Sequence, residues 1–275
     1  MGDRLLSDDE VFILIVSGVV GLVGAVSTRV SCLPGMFTRS NPSIGLMRLA
    51  VVAAVVWTAY VIQYHGDPSI KGIYVAFYLI MAYAATKLFG QLGAGLYGFR
   101  LRSDAYERKN LAVTVFIAGF TLATGIVFGG SLWGEADPLS ESEGGWWIPV
   151  GFFLMGWVTL GVSTAIYLWR EPGRFRRQLC QDRDTAMAWT VAVYTISTAT
   201  LILRAVAGDF WGWRHGILGM GVIGLMLVGH EVIMFVGGKM PQAPLLRVFE
   251  RCMYIGLAAA VFVLNQIIDR LYVGA

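Results

Sequence analysis

LAVTVFIAGFTLATGIVFGGSLW, residues 111–133, runs for 23 residues without a single charge. About 20 such residues in a helix cross the ~30 Å hydrocarbon core of a bilayer. Seven further predominantly apolar runs of comparable length occur: Val11–Thr28, Ile44–Tyr64, Gly72–Tyr97, Trp147–Trp169, Ala186–Ala207, Gly216–Gly237 and Cys252–Leu271. Transmembrane β-strands would be shorter and would alternate apolar with polar residues, so the runs are read as helices. The expectation is an all-α integral membrane protein, a bundle of about eight transmembrane helices. Composition agrees, with 56% hydrophobic and 14% charged residues, against roughly 25% charged in a soluble domain.

The start, MGDRLLSDDE, is acidic and lacks the basic opening of a secretory signal. Leu6 stands where a myristoylation signal needs Ser or Thr. The first apolar run is therefore expected to stay in the protein.

Orientation follows from the clustering of Lys and Arg in cytoplasmic loops. Loops after odd-numbered runs hold fifteen such residues: Arg29, Arg39 and Arg48; Arg100, Arg102, Arg108 and Lys109; Arg170, Arg174, Arg176, Arg177 and Arg183; Lys239, Arg247 and Arg251. The opposite loops hold five, Arg4, Lys71, Arg204, Arg214 and Arg270. This places a multi-pass chain in the cell's inner (plasma) membrane with both termini outside the cytoplasm. The net charge of +3 is then a topology signal, and nucleic acid is excluded as a partner. In WREPGRFRRQLCQDR (169–183), Arg174, Arg176 and Arg177 are candidates for holding anionic lipid headgroups; a positive-inside flank is the plainer reading. Cys32, Cys180 and Cys252 all fall on the basic side as singletons, which suits free thiols in a reducing compartment.

The acidic stretch 134–146 divides the chain into a first four-helix half, 1–133, and a second, 147–275. Short words recur in the same order in both halves: VST at 26–28 and 162–164, Pro34-Gly35 and Pro172-Gly173, Gly66-Asp67 and Gly208-Asp209. Four helices per half make the repeats parallel, related by an axis along the membrane normal. Glycines crowd the first run (Gly18, Gly21, Gly24) and the seventh (Gly216, Gly219, Gly221, Gly224, Gly229). Small residues let membrane helices approach closely, so these two runs are expected at the centre.

Charge inside a bilayer costs at least about 2.5–3.5 kcal/mol per residue. Lys87 lies within the third run, with Tyr83 four residues before it and Gln91 four after, on one side of a helix. The one intramembrane carboxylate that could neutralise Lys87 is Glu231, beside His230 in LMLVGHEVIMF. Lys87 and Glu231 sit about 15 residues into runs of the same direction, roughly 23 Å at 1.5 Å per residue. They are expected to meet, as a structural ion pair or as a pair that opens for an ion or anionic substrate. Asn265, with Gln266 beside it, is a further polar candidate in the eighth run.

His65 and His215, both near the outer boundary, offer one conceivable haem site; loop histidines are the plainer reading. No HExxH, GxSxG or phosphate-binding loop occurs, and no catalytic residue is assigned. Two functions remain: movement of a small ion or solute through the bundle, or service as a non-catalytic membrane subunit or scaffold of a larger complex. The lipid bilayer is the certain partner on this reading, with membrane-complex subunits or a second copy as the others. A haem-bearing, quinone-reactive anchor is the remaining alternative.

Overall fold

The computed structural model describes residues 8–36, 41–134, 146–170, 174–236 and 244–273. The 134–146 linker lies almost wholly outside them, as do the side chains of Arg174, His215 and Asn265. Nine α-helices and no strand occur among the described residues. In chain order they are α1 (Asp8–Met36), α2 (Pro42–Tyr64), α3 (Ile73–Ala85), α4 (Leu111–Gly130), α5 (Trp147–Arg170), α6 (Arg174–Cys180), α7 (Thr185–Ile202), α8 (Gly208–Val236) and α9 (Pro244–Val273). Seven stretches are long and apolar enough to cross a membrane, one each in α1, α2, α4, α5, α7 and α8 and one that begins in α3 and runs to Tyr97.

That stretch is not uniform. After Ala85 the chain widens into a π-helix over Thr86–Leu92 and then tightens into a 3-10 turn over Gly93–Tyr97. Such local widening recurs at functional sites in membrane and soluble helices. Lys87 and Gln91 both lie in the π segment. A second π segment, Leu101–Glu107, follows, folded around buried Asp104, which accepts from the Arg100 amide and from Arg108.

Asparagine and aspartate start three helices at one end of the bundle. Asn41 caps α2, Asn110 caps α4 and Asp184 caps α7, each accepting from free amides of the first turn. The same side chains tie loops together. Asn41 donates to the Tyr106 carbonyl and Asn110 to the Leu179 carbonyl, and Arg247 reaches Asp184 at 2.6 Å. These links, with Arg183 donating to the Arg108 carbonyl, gather the arginine-bearing loops at one end. At the other end His65 stacks on Trp133, with ring centroids 3.8 Å apart, and Gly134 donates to the His65 carbonyl.

The centre of the bundle is α4, not the glycine-rich α1 and α8. The span Leu111–Gly130 is 83% buried, whereas Glu10–Arg29 and Gly216–Met234 are each 17% buried. α4 packs chiefly against α7 and α2. A Cβ on Gly119 would stand 2.5 Å from Cβ of Ala192, and Gly125 faces Ala54 just as closely. Gly18, Gly221, Gly224 and Gly229 meet nothing within 4 Å. Glycine number therefore misled the sequence reading, because what matters is whether a glycine faces a small residue on another helix. α4 buries three threonines, and each hydroxyl is satisfied inside the helix: Thr114 donates to Asn110, Thr121 to Ile117 and Thr124 to Phe120. Trp133 is buried against Trp57 and His65.

Candidate functional site

Lys87 and Glu231 do not form the expected pair. Lys87 projects toward α1, where its Nζ donates to Thr28 Oγ1 at 3.1 Å and to Gln91 Oε1 at 3.0 Å, 5.7 Å above the Tyr83 ring. Gly24 of α1 makes this approach possible: a Cβ there would lie 2.7 Å from the lysine Cβ. The predicted polar stripe of Tyr83, Lys87 and Gln91 is therefore real, but it faces a hydroxyl of the first helix. Gln91 is buried, and neutral oxygens surround the ammonium in these contacts.

Glu231 belongs to a different cluster. It lies five residues before the end of α8 and is 3% exposed. Arg170, the last residue of α5, donates from Nη1 to Glu231 Oε2 at 3.1 Å. The other carboxylate oxygen, Oε1, lies 3.1 Å from His230 Nδ1. Arg170 also stands 3.9 Å from Glu250 Oε1, near the start of α9, and 4.5 Å over the Tyr167 ring. The Tyr254 hydroxyl donates to Glu250 at 3.1 Å. α7 completes the wall with Tyr194, whose ring packs on Tyr167 and Tyr254 at 4.5 and 5.3 Å.

Two carboxylates thus share one guanidinium in a largely buried setting. Removing one member of such a pair usually costs about 3–5 kcal/mol, because the survivor is left uncompensated. A carboxylate only accepts hydrogen bonds, so against an ionised Glu231 His230 Nδ1 is the donor of their contact. In a neutral imidazole Nε2 is then the acceptor. It is buried and has no hydrogen-bond partner among the described residues, while the buried Tyr194 hydroxyl faces Glu231 and Thr198. Each buried unmet group costs about 1–3 kcal/mol.

The sequence reading placed Glu231 and His230 together correctly but missed Arg170, Glu250, Tyr167, Tyr194 and Tyr254. Arg170 was counted as a loop residue. The available signal was Glu250 and Tyr254, four apart on one face of α9, at the same end of the bundle as Arg170.

A groove of about 210 Å³ between α5 and α8 ends at Glu231. Its walls are mainly Val158, Val162 and Val228, with the Thr159 and Ser163 hydroxyls inside. Both hydroxyls are turned to carbonyls of their own helix. A larger cavity, about 490 Å³, lies between α2, α4, α7 and α9 behind Trp57 and Phe262.

The remaining candidates are dispersed. Arg176 and Arg177 are exposed on α6. His65 is engaged face to face with Trp133. No group of three or more metal-binding side chains occurs among the described residues. Burial and neighbouring Asp104 push the Cys180 thiol up, away from the thiolate that redox or metal chemistry needs. No family model, curated protein or solved structure matches the chain.

Proposed function

We propose that this polytopic helical membrane protein moves a small ion or solute, with the Arg170, Glu231, His230 and Glu250 cluster as its charge-bearing element. One observation carries the reading: the buried Glu231 and the partly buried Glu250 share a single guanidinium at the arginine-rich end of the bundle. A carboxylate buried within a span, as Glu231 is, is expensive and marks ion or solute pathways by default. The α5–α8 groove supports it by giving the surroundings a way to Glu231. On this reading the arginine-rich end faces the cytoplasm, and α9, about 45 Å long at 1.5 Å per residue, is the eighth crossing.

Packing also supports a parallel duplication. α1 lies on α3 as α5 lies on α8, and α2 lies on α4 as α7 lies on α9. Lys87 and Glu231 then occupy comparable helices, each reaching the first helix of its own half.

Reconstitution into liposomes tests the function. Flux of the transported ion or solute should fall at least tenfold in Glu231→Gln. Wild-type flux in that variant removes the cluster from the mechanism.

A second reading, a non-catalytic subunit or scaffold, is favoured by the closed seam of Gly119 on Ala192, which leaves no passage between α4 and α7. It predicts a partner that co-purifies stably and no flux from the isolated protein.

A further inference from the structure

We infer that the ion bound by this cluster is a proton, taken up at Nε2 of His230. The inference rests on the transport reading for its purpose but not for its chemistry.

Other ions fit poorly. A hard cation needs six or more oxygens around it. The two carboxylates offer four oxygens, of which three already accept a hydrogen bond, Glu231 Oε2 from Arg170, Glu231 Oε1 from His230 and Glu250 Oε1 from Tyr254. The Arg170 guanidinium lies against both carboxylates and repels a metal ion. An anion would meet those two carboxylates. A proton needs only one lone pair.

That lone pair is present. With Nδ1 donating to Glu231, the neutral ring buries Nε2 as an acceptor that no described residue satisfies. Among the described residues, the groups facing it come from four helices. α5 supplies Arg170 and Tyr167, α7 supplies Tyr194, α8 supplies Glu231, and α9 supplies Glu250 and Tyr254. With a neutral imidazole these carry one excess negative charge. A hydronium ion gives its proton to the Nε2 lone pair and leaves as water, which brings the cluster to neutrality. Histidine is the side chain suited to make that exchange near neutral pH. The His230 side chain as a whole is 31% exposed against 3% for Glu231, although Nε2 itself is enclosed.

The test is nitrogen-15 NMR of histidine-labelled full-length protein in lipid nanodiscs from pH 8 to pH 5, with His230→Asn used to assign the signal among three histidines. Expected are a neutral tautomer protonated at Nδ1 at high pH and a doubly protonated ring at low pH. In Glu231→Gln the protonated-to-neutral ratio at a fixed intermediate pH should fall at least tenfold. Tyr194→Phe, which keeps the ring packing, provides a second folded variant and should preserve uptake at Nε2. A neutral tautomer protonated at Nε2, a ring that stays neutral throughout, or a ratio unaffected by Glu231→Gln overturns the proposal. Liposome flux is read separately: proton uptake without flux upholds the proton site and removes the transport role.

Discussion

Arg170 Nη1 lies 3.1 Å from Glu231 Oε2, joining the last residue of α5 to the one carboxylate buried within the span of α8. The contact fixes two peripheral helices at the arginine-rich end, where α9 adds Glu250 and Tyr254. Replacing either charge alone strands the other in a low-dielectric setting. Glu231→Leu or Arg170→Met should each destabilise by about 3–5 kcal/mol, whereas the double variant should lose clearly less than the sum. Reversible unfolding in mild detergent checks this; strictly additive losses would show that the pair is not coupled.

Lys87 holds Thr28 and Gln91, whereas Glu231 holds Arg170 and His230. Lys87→Met should therefore combine with Glu231→Gln additively, to within about 0.5 kcal/mol. A larger coupling energy in the double-mutant cycle would restore the direct pair that the sequence suggested. Loss of the lysine alone leaves Gln91 Oε1 and the Thr28 hydroxyl without their donor, a local cost of about 1–3 kcal/mol.

The central seam depends on one missing methyl group. Gly119→Ala places a Cβ 2.5 Å from Ala192 Cβ and 2.8 Å from its Cα, so backbone must move. Overpacking of this kind costs about 1–3 kcal/mol. Gly221→Ala, which meets open space, should stay within about 0.5 kcal/mol of wild type. Melting temperatures in one detergent compare the two directly; equal losses would contradict the placement of α4 at the centre.

Asp184 links pH to stability at the arginine-rich end. Burial alone would raise its carboxyl, but hydrogen bonds from Arg247 and the Met187 amide outweigh that and hold it below the usual range. Its contribution is therefore present above the ordinary aspartate value of about 3.9 and is lost as pH falls through the lower folded value. Asp184→Ala should cost about 1 kcal/mol at pH 7 through the lost cap. The gap between variant and wild type should close as the pH drops below about 4. A gap that stays constant from pH 7 to pH 3 would contradict the assignment.

The helical membrane class was legible because the bilayer admits few solutions. A chain with runs such as 111–133 must bury every backbone polar group inside its own helices, and local sequence suffices to show that. The polar stripe of Tyr83, Lys87 and Gln91 was legible for the same reason, since it is set by helix period alone. So was the collection of arginines at one end, which only requires counting loops.

Partners between helices were not legible. Lys87 and Glu231 looked matched by depth and by opposite charge, yet depth fixes only one coordinate of three, and the rotation of each helix decides whom it faces. Gly24 drew Lys87 to α1, and the end of α5 delivered Arg170 to Glu231. Likewise the many glycines of α1 and α8 promised a central place that Gly119 and Gly125 of α4 took, because those two face alanines. By itself the sequence determined that the chain lives in a membrane as helices with one basic end. Only the tertiary structure decided which charges share a partner, since van der Waals fit between small residues, and not hydrophobicity, sets how helices turn toward one another in lipid.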